Sequence, residues 1–427
     1  MKVALGWLLK IMIIGFAHIG FAKMGIAQEI SLGDSITPIN IDTLKWKIDL
    51  LNNQVLASSS YKVHSIVDRI DGRKVLNWDK VLDQSQDINR LFSEYHSELI
   101  KLTYFKGQIS FSLGLGIGAE SSIQIPYNTI AGGIQGNAQY IEQDLFLRMD
   151  AFHSSWNEIN LGFSYSFVDI KPWITFSGVD GYQNLSFEGG YSIFTPEDLD
   201  FIQVDRDLTI DSYEMVEYVN SDSINFNYRL PFSSFSKFKN LGWMIDVGVE
   251  YEYNQHHLCI SIEDINQIYW KGNQYSASGQ EVFRGIDISD SLDENIDFAT
   301  QDTLDNILGI ETQSHSKYNS NVSTKFGFEY EYQLQEFLVL GLRGKYYYHS
   351  YYDYYRAQLL VGYQVTNWLY GSLHYILDSN SFNNIGLGLK FSFPHYDFHL
   401  NTFNVPAVFG PYDYRQLGLN FGMSIKL

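Results

Sequence analysis

The last eleven residues, LGLNFGMSIKL at 417–427, alternate without error between apolar and small or polar side chains. Leu, Leu, Phe, Met, Ile and Leu occupy the odd positions, whereas Gly, Asn, Gly, Ser and Lys occupy the even ones. Successive side chains of a β-strand point to opposite faces, so this pattern predicts a strand with one apolar and one polar face.

The same period of two recurs along the chain from Gly107 onward. Four stretches show it most clearly: ISFSLGLGIGA at 109–119, INLGFSYSF at 159–167, WMIDVGVEYEY at 243–253 and IGLGLKFSF at 385–393. Strands of soluble proteins usually have about five or six residues, whereas a strand that crosses a bilayer needs about nine to eleven. We therefore predict an all-β fold, a transmembrane antiparallel up-and-down β-barrel of about 14 strands (12 to 16) with a partly helical N-terminal segment. The alternative is a soluble sandwich or barrel that buries the apolar face inside.

The connections between the alternating segments fit hairpins. Short links occur at 254–255, 333–336 and 366–367, and long polar links occur near 120–143, 192–222 and 289–320. A barrel with a periplasmic and an outer end has this arrangement of short turns and long loops. A turn centred on Gln335 places Glu329 diagonal to Arg343, within reach of a cross-strand ion pair.

Composition excludes several classes of protein. The formal charge of −20 repels a phosphate backbone, so no nucleic acid is expected as a partner. One cysteine cannot form an internal disulfide, and 45% hydrophobic residues are too many for a disordered chain.

Residues 1–27 have the layout of a secretory signal peptide. Lys2 and Lys10 accompany an apolar run over 3–19, and Gly25 and Ala27 stand at −3 and −1 to Gln28. The alternative is a membrane-anchoring helix, but Lys10 interrupts the run too early for a span of about 20 residues. The sequence thus predicts export, and with the barrel it predicts the outer membrane of a Gram-negative bacterium.

The remaining sequence divides into an N-terminal segment at 28–105, with a short helix and the first strand or strands, and a barrel at 106–427. Apolar residues recur at helical spacing from Asn77 to Phe92, which predicts a helix there. The N-terminal segment either plugs the lumen or forms a loop outside the membrane, and we favour the loop.

Charged side chains of the polar face are the best functional candidates, because they would line the lumen of a barrel. They would set solute preference in an open lumen or form a closing ion-pair network in a filled one. The candidates are Asp246, Glu250, Glu252, Glu329, Glu331, Arg343, Lys345 and Lys390.

Aromatic residues cluster at 346–355, YYYHSYYDYY, where seven of ten residues are tyrosine. Amphipathic rings suit the headgroup layer, so the segment reads as an aromatic girdle in preference to a platform that stacks sugars or lipids. Five tryptophans lie near predicted strand ends and invite the same interpretation: Trp156, Trp173, Trp243, Trp270 and Trp368.

Catalytic and metal motifs are weak, and we predict no catalytic residue, no cofactor and no metal. His153 lies beside Ser154 and Ser155, as in a lipid hydrolase, but adjacency in sequence is poor evidence for a catalytic pair. The acidic stretch 287–311 does not match a calcium loop and reads as solvated.

The adjacent histidines His256 and His257 and the single cysteine Cys259 also suggest no site. Consecutive strand residues face opposite ways, so His256 and His257 are poorly placed for one metal. Cys259 lies on the polar face, and we assign it no role.

From about Trp46 onward the chain resembles a family of outer-membrane barrels of unknown function from Bacteroidota-type Gram-negative bacteria. The resemblance is carried by GGIQGN at 132–137, NLGWMIDVGVEYEY at 240–253, IEDINQIYWKGNQY and FRGIDI within 262–288, and SFNNIGLGLKF at 381–391. Two departures are the absence of an Asn-Pro-Ala signature around 50–60 and a terminal Leu427 in place of Phe. Because the family has no established catalytic residues, the resemblance implies none here. It implies similarity to fatty-acid-transporter-like channels and to accessory barrels of gliding and secretion machinery.

We expect a barrel that sits in outer-membrane lipid and binds or passes a small or lipidic ligand. The alternative is a non-catalytic scaffold whose partners are subunits of a surface or secretion complex, and a lipid hydrolase is the weakest hypothesis. The assigned faces also make a prediction about stability. Arg at Leu340 should cost roughly 2–4 kcal/mol near the bilayer midplane, and Gln at Lys345 should cost little.

Overall fold

The computed structural model describes residues 46–58, 67–70, 73–135, 138–198, 200–220, 223–226, 239–283, 309–379, 384–409 and 415–427. The predicted signal peptide at 1–27 lies outside these residues, and so does 287–308 of the acidic stretch. Among the described residues, no helix has both the length and the apolar character needed to cross a membrane.

β-Strands make up most of the described chain. They are β1 Trp46–Ser58, β2 Val67–Ile70, β3 Arg73–Leu76, β4 Ile88–Lys106, β5 Ile109–Pro126, β6 Asp144–Arg148, β7 Asp150–Tyr165, β8 Ile170–Phe194, β9 Ile202–Tyr213, β10 Val216–Asn220, β11 Ser223–Phe226, β12 Leu241–Tyr253, β13 His256–Phe283, β14 Glu311–Ser320, β15 Thr324–Gln335, β16 Leu338–His349, β17 Tyr352–Thr366, β18 Leu369–Asp378, β19 Asn384–Ser392, β20 Tyr396–Thr402 and β21 Gln416–Lys426. The helices in the same part of the chain are α1 Trp78–Gln84, α2 Tyr127–Gln135 and α3 Val405–Phe409, with a 3₁₀ turn at Ala138–Tyr140.

Fourteen strands form a closed antiparallel barrel, as the alternation predicted. Their order around the wall is β1, β4, β5, β7, β8, β12, β13, β15, β16, β17, β18, β19, β20 and β21, and β21 pairs back with β1. Closure pairs the backbone groups at both edges, which hydrocarbon requires of any structure that crosses it. The remaining sheet strands extend the wall: β6 and β9 pair with β8, and β9 and β14 pair with the distal part of β13.

The two ends of the barrel differ. Short turns join β4 to β5, β7 to β8, β12 to β13, β15 to β16, β17 to β18 and β19 to β20 at one end. The first and last strands meet at this same short-turn end, where Trp46 and Leu427 exchange backbone hydrogen bonds of 3.0 and 2.9 Å. The opposite, long-loop end carries the long connections, including those that contain α1, α2 and α3.

The outer surface of the wall is apolar around the barrel. Leu161, Leu359 and Leu373 are 58%, 56% and 60% exposed, although leucine is usually buried in soluble proteins. Their neighbours along each strand point inward, as the period of two requires. The apolar rows therefore face outward, as they do in a transmembrane barrel and not in a soluble sandwich.

A β-bulge reverses the two faces of β13. Glu263 and Asp264 together oppose the single residue Asp246 of β12, and Asp264 has a positive φ of 55°. The backbone N–H of Asp264 donates to the Asp246 carboxylate at 2.7 Å, which holds the bulge in place. Even-numbered residues face outward before the bulge and inward after it, so Ile268 and Trp270 are buried inside the barrel.

The N-terminal region corrects the predicted helix. The helix α1 begins after Asn77, whose side chain accepts from the backbone N–H of Lys80 at 3.1 Å, and it ends at Gln84. Ile88 already starts β4, and Phe92 lies in that strand with its side chain inside the barrel. Tertiary pairing with β1 and β5 overrides the helical spacing of this short segment.

The hairpin of β15 and β16 has a register two residues away from the predicted one. Glu329 lies directly opposite Arg343 and not diagonal to it, because the register shifts between Gln333 and Gln335 next to the turn. A shift of two residues keeps every side chain on its face. The assignment of inward and outward residues is therefore unaffected.

Candidate functional site

Four of the predicted lumen charges meet on neighbouring strands near the short-turn end. The guanidinium of Arg343 lies 2.6 Å from Glu329 and 2.5 Å from Glu331. Lys345 Nζ lies 2.8 Å from a carboxylate that sequence reasoning missed, Glu263 on the adjacent part of β13. These contacts form two neighbouring ion-pair groups along the inner wall, in which each cation has at least one carboxylate.

The other four predicted charges occupy separate positions. Glu250 pairs with Lys171 at 2.9 Å, Glu252 lies 3.4 Å from His257, and Asp246 accepts from the bulge in β13. Lys390 is half-buried in β19, between Tyr370 of β18 and His399 of β20 in the strand register. These four do not join the network around Arg343.

A second network crosses the lumen. Lys325 of β15, 4% exposed, lies 2.5 Å from Glu94 of β4 and 2.7 Å from Asp264 of β13. Glu94 also accepts a hydrogen bond of 2.9 Å from the Tyr347 hydroxyl of β16. β4 and β16 are seven strands apart in either direction around the wall, so these contacts join opposite sides of the barrel.

Glu120 of β5 makes another set of contacts across the lumen. Its carboxylate accepts from the backbone N–H of Ser323 at 2.9 Å and from the hydroxyl of the same residue at 2.5 Å. The hydroxyl of Tyr352, on β17, donates to the same carboxylate. Glu120 is 1% exposed, so its charge is kept inside the barrel by these three donors.

Aromatic rings fill the lumen between the contacts of Glu94 and those of Glu120. Phe92 stacks on Tyr354 with ring centroids 4.5 Å apart and contacts Tyr347 and Tyr352 at 5.4 and 5.5 Å. We call this set of cross-lumen residues the lumen closure. It comprises Phe92, Glu94, Glu120, Lys325, Tyr347, Tyr352 and Tyr354.

The lumen closure changes the interpretation of the tyrosine cluster at 346–355. Tyr346, Tyr348 and Tyr355 point outward and are 38%, 57% and 46% exposed, as an aromatic girdle requires. Tyr352 and Tyr354 point inward, because alternate residues of a strand face opposite sides. The girdle interpretation is therefore wrong for the inward half of the cluster.

The tryptophans show the same division, since Trp368 is 46% exposed at the short turn between β17 and β18. Trp156 and Trp270 are 3% and 1% exposed and belong to the apolar cluster inside the barrel, so their assignment to a girdle is wrong. Gly118 and Gly181 lie beneath these two indoles, and a Cβ on either glycine would overlap the ring. Small residues on the inner face thus make room for large side chains that fill the lumen.

A cavity of about 100 Å³, with charged side chains in a partly apolar wall, lies between the lumen closure and the short-turn end. Its wall residues come from β8, β13, β15, β16 and β17 and from Phe403 after β20. The charged members of the wall are Glu263, Glu329, Arg343, Lys345 and Arg356. Three cations against two carboxylates give the wall an excess of positive charge, although the whole chain is strongly acidic.

The histidines of the weak catalytic and metal motifs contact other residues of the wall and not each other or the neighbouring serine. His153 Nδ1 hydrogen bonds with the hydroxyl of Ser121 on β5 at 2.8 Å, whereas Ser154 lies on the opposite face of β7. His256 contacts Tyr330 and His257 contacts Glu252, so the two imidazoles bind different partners. Within the described part of the chain, no three His, Cys, Asp or Glu side chains gather as a metal site would require.

Some residues of the site were within reach of sequence reasoning. Lys325 lies four residues before Glu329 and therefore on the same inward face, so applying the alternation to the start of this strand would have found it. Glu94 and Glu120 had no such signal, because their partners lie on strands far along the chain. Only closure of the barrel brings those carboxylates to the opposite wall.

Solved structures with similar folds are outer-membrane barrels. The Pseudomonas putida toluene transporter TodX has 10% sequence identity and a TM-score of 0.42, with 90% of each chain covered. The Ralstonia pickettii toluene transporter TbuX has 8% identity and a TM-score of 0.41, with 95% of this chain and 96% of that chain covered. A Pseudomonas aeruginosa FadL homologue has 8% identity and a TM-score of 0.41, with 90% of each chain covered. At such low identities and scores, these similarities carry no argument about ligand or activity.

No curated protein matches the chain. A family model described as a family of unknown function, DUF5723, matches residues 39–402. Since this match covers most of the sequence, the chain belongs to that family.

Proposed function

We propose that this protein is an integral barrel of the Gram-negative outer membrane that binds a small ligand in its lumen and passes it across the membrane. The signal peptide predicted at 1–27 and the apolar outer wall support that location. An origin in Bacteroidota-type bacteria stays a prediction from the resemblance.

One observation carries the proposal: a cavity with charged and apolar wall residues lies in the lumen directly against a closure that is built from side chains. Barrels of about eight strands are filled by their own side chains, and those of 16–18 strands leave an aqueous channel. With fourteen strands, this barrel is nearer to the second class, yet opposite walls touch through the lumen closure. A path can open by movement of the side chains that form the lumen closure.

The hypothesis of a non-catalytic scaffold explains neither the cavity nor the lumen closure. A protein that only presents a surface to partners gains nothing from a charged cavity inside its lumen. The buried carboxylates of the lumen closure also carry a desolvation cost that an apolar filling would avoid. Polar closure is, however, expected where water or a polar ligand enters when the lumen opens.

Conductance in planar bilayers tests the proposal. We expect the wild-type protein in potassium chloride to show rare, small current steps, and Phe92→Ala to show larger and more frequent ones. Phe92 is 2% exposed and touches three rings of the lumen closure, so its removal leaves a gap in the middle of the barrel. If Phe92→Ala does not fold, Phe92→Leu provides a milder change.

Phe111→Ala is the matched control. Phe111 is 51% exposed on the outer surface of β5, so its truncation should leave the conductance of the wild type unchanged. Silence of all variants, together with a partner protein that co-purifies in fixed ratio, would contradict passage and favour a scaffold. Equal conductance changes in Phe92→Ala and Phe111→Ala would show that the lumen closure does not limit the current.

A further inference from the structure

Arg356 is the unusual cation of the cavity wall. Arg343 and Lys345 have carboxylates at 2.5 to 2.8 Å, but Arg356 has none within 4.0 Å among the residues that the structure describes. Its cross-strand neighbour on β18 is Asp378, whose charge acts on Arg356 without forming an ion pair with it among the described contacts. Arg356 is 6% exposed, and its Nε has no hydrogen-bond partner in the described chain.

The contacts that Arg356 does make leave much of its hydrogen-bonding capacity unused. The guanidinium carbon lies 4.4 Å from the ring centroid of Phe403, and a terminal nitrogen donates to the Tyr354 hydroxyl at 3.5 Å. A guanidinium carries five N–H donors in a planar fork. Contact with an aromatic face does not use these donors, and burial removes the water that would otherwise satisfy them.

We infer that Arg356 anchors a binding site for a carboxylate group inside the barrel lumen. A carboxylate accepts two parallel hydrogen bonds from a guanidinium, and the buried pair is strong because both partners are charged. Gln358 lies two residues further along the same face of β17 and also lines the cavity, so its amide can donate to the same group. The ring of Phe403 and the indole of Trp173 offer apolar contact for the adjoining carbon atoms.

The volume limits what the site holds. A cavity needs about 10–15 Å³ on the same measure to hold one water molecule, so about 100 Å³ takes a small group of several heavy atoms. A carboxylate with one or two carbons fits, whereas a longer ligand must extend its tail beyond the cavity. This inference rests on the proposed function in that it treats the lumen as ligand-binding, and it names the chemical class of the ligand.

Equilibrium binding to the full-length, detergent-purified protein tests the inference. The probes are acetate, octanoate and the neutral ester methyl octanoate, in a buffer without other carboxylates. We expect a carboxylate to bind and the ester to fail, and we expect Arg356→Gln to weaken binding at least tenfold. Binding by acetate assigns the site to free small acids, and binding by octanoate alone assigns it to the head group of an amphiphile.

Two variants act as controls. Lys171→Gln removes a cation that lies outside the cavity wall, and it should bind as the wild type does. Arg356→Lys keeps the charge but loses the planar fork, so we expect a smaller loss than with Gln. This variant keeps the inference testable if Arg356→Gln does not fold, as circular dichroism would show.

Three results would overturn the inference: no binding of either carboxylate, equal binding of octanoate and its ester, or unchanged affinity in Arg356→Gln. In these cases Arg356 serves only to pack against Phe403. Binding is measured without a membrane and conductance without the probes, so the two proposals fail separately. Carboxylate binding by a protein that never conducts would leave the site standing and remove passage.

Discussion

Replacing Lys325 with Met should destabilise the barrel by about 3–5 kcal/mol, the usual cost of removing one partner from a buried ion pair. Lys325 is 4% exposed and lies 2.5 Å from Glu94 and 2.7 Å from Asp264. Met fills similar space but leaves two carboxylates that have lost their cation. Glu94 is the more affected of the two, since it is 2% exposed.

The matched control is Lys171→Met. Lys171 pairs with Glu250 at 2.9 Å, but the two side chains are 41% and 26% exposed. Water screens such a pair, and its loss should cost at most about 1 kcal/mol. The comparison therefore isolates burial, because the chemical change is the same at both sites.

Urea unfolding followed by tryptophan fluorescence measures both losses, since the chain contains 8 Trp. Adding Glu94→Gln to Lys325→Met should recover part of the stability, because the double variant no longer buries that unpaired carboxylate. The two single changes should then differ from additivity by about 0.5–3 kcal/mol. Equal losses in Lys325→Met and Lys171→Met, or strict additivity with Glu94→Gln, would refute the cross-lumen ion pair.

The remaining predictions concern the wall itself. Leu340 is 40% exposed on the outer face of the wall. Leu340→Arg should cost about 2–4 kcal/mol of unfolding free energy in lipid vesicles if this position lies near the bilayer midplane. A loss below about 1 kcal/mol would contradict the outward orientation of Leu340. Lys345→Gln should cost about 1–3 kcal/mol, less than the loss of the Lys325 pair, because Glu263 loses its cation but its side chain is 25% exposed; a neutral result in urea unfolding would count against this pair. Gly189→Ala should lower the thermal unfolding midpoint, since Gly189 has φ of 96° and an added Cβ would meet the Asp207 carbonyl, whereas Gly178→Ala, with open space around it, should not.

The structure revises the sequence-based expectation for Lys345. Parity alone placed this side chain in a wet lumen, where a neutral amide is tolerated. Its Nζ instead lies 2.8 Å from Glu263 and the side chain is 10% exposed, so removal of the charge affects a second residue. The difference arises because alternation along one strand contains no information on what faces that strand across the lumen.

The lumen closure also bears on how the barrel is stabilised. Opposite walls touch through Glu94 and Lys325 and through Glu120 and Tyr352, so each wall contributes polar groups that the other satisfies. Buried polar groups of this kind are costly when separated and stable when paired. Opening must therefore bring in water or a ligand to replace these partners.

The amino-acid sequence by itself determined the strands, their two faces and the two kinds of barrel end, as the stretch 417–427 shows. Its parity is confirmed by β21, whose even-numbered residues from Gln416 to Ser424 are buried. This information is local, because the period of two depends only on neighbouring residues and on the difference between lipid and a wet interior.

Only the tertiary structure decided what lies inside. The bulge at Asp264 moves Trp270 into the lumen, and closure of the ring brings Phe92 against Tyr354. Arg356 was not among the charges that the alternation identified, although it is a buried cation without a carboxylate among the described residues. Contacts across a barrel depend on strand number, register and bulges together, and these quantities are set by the pairing of all the strands and not by any one segment.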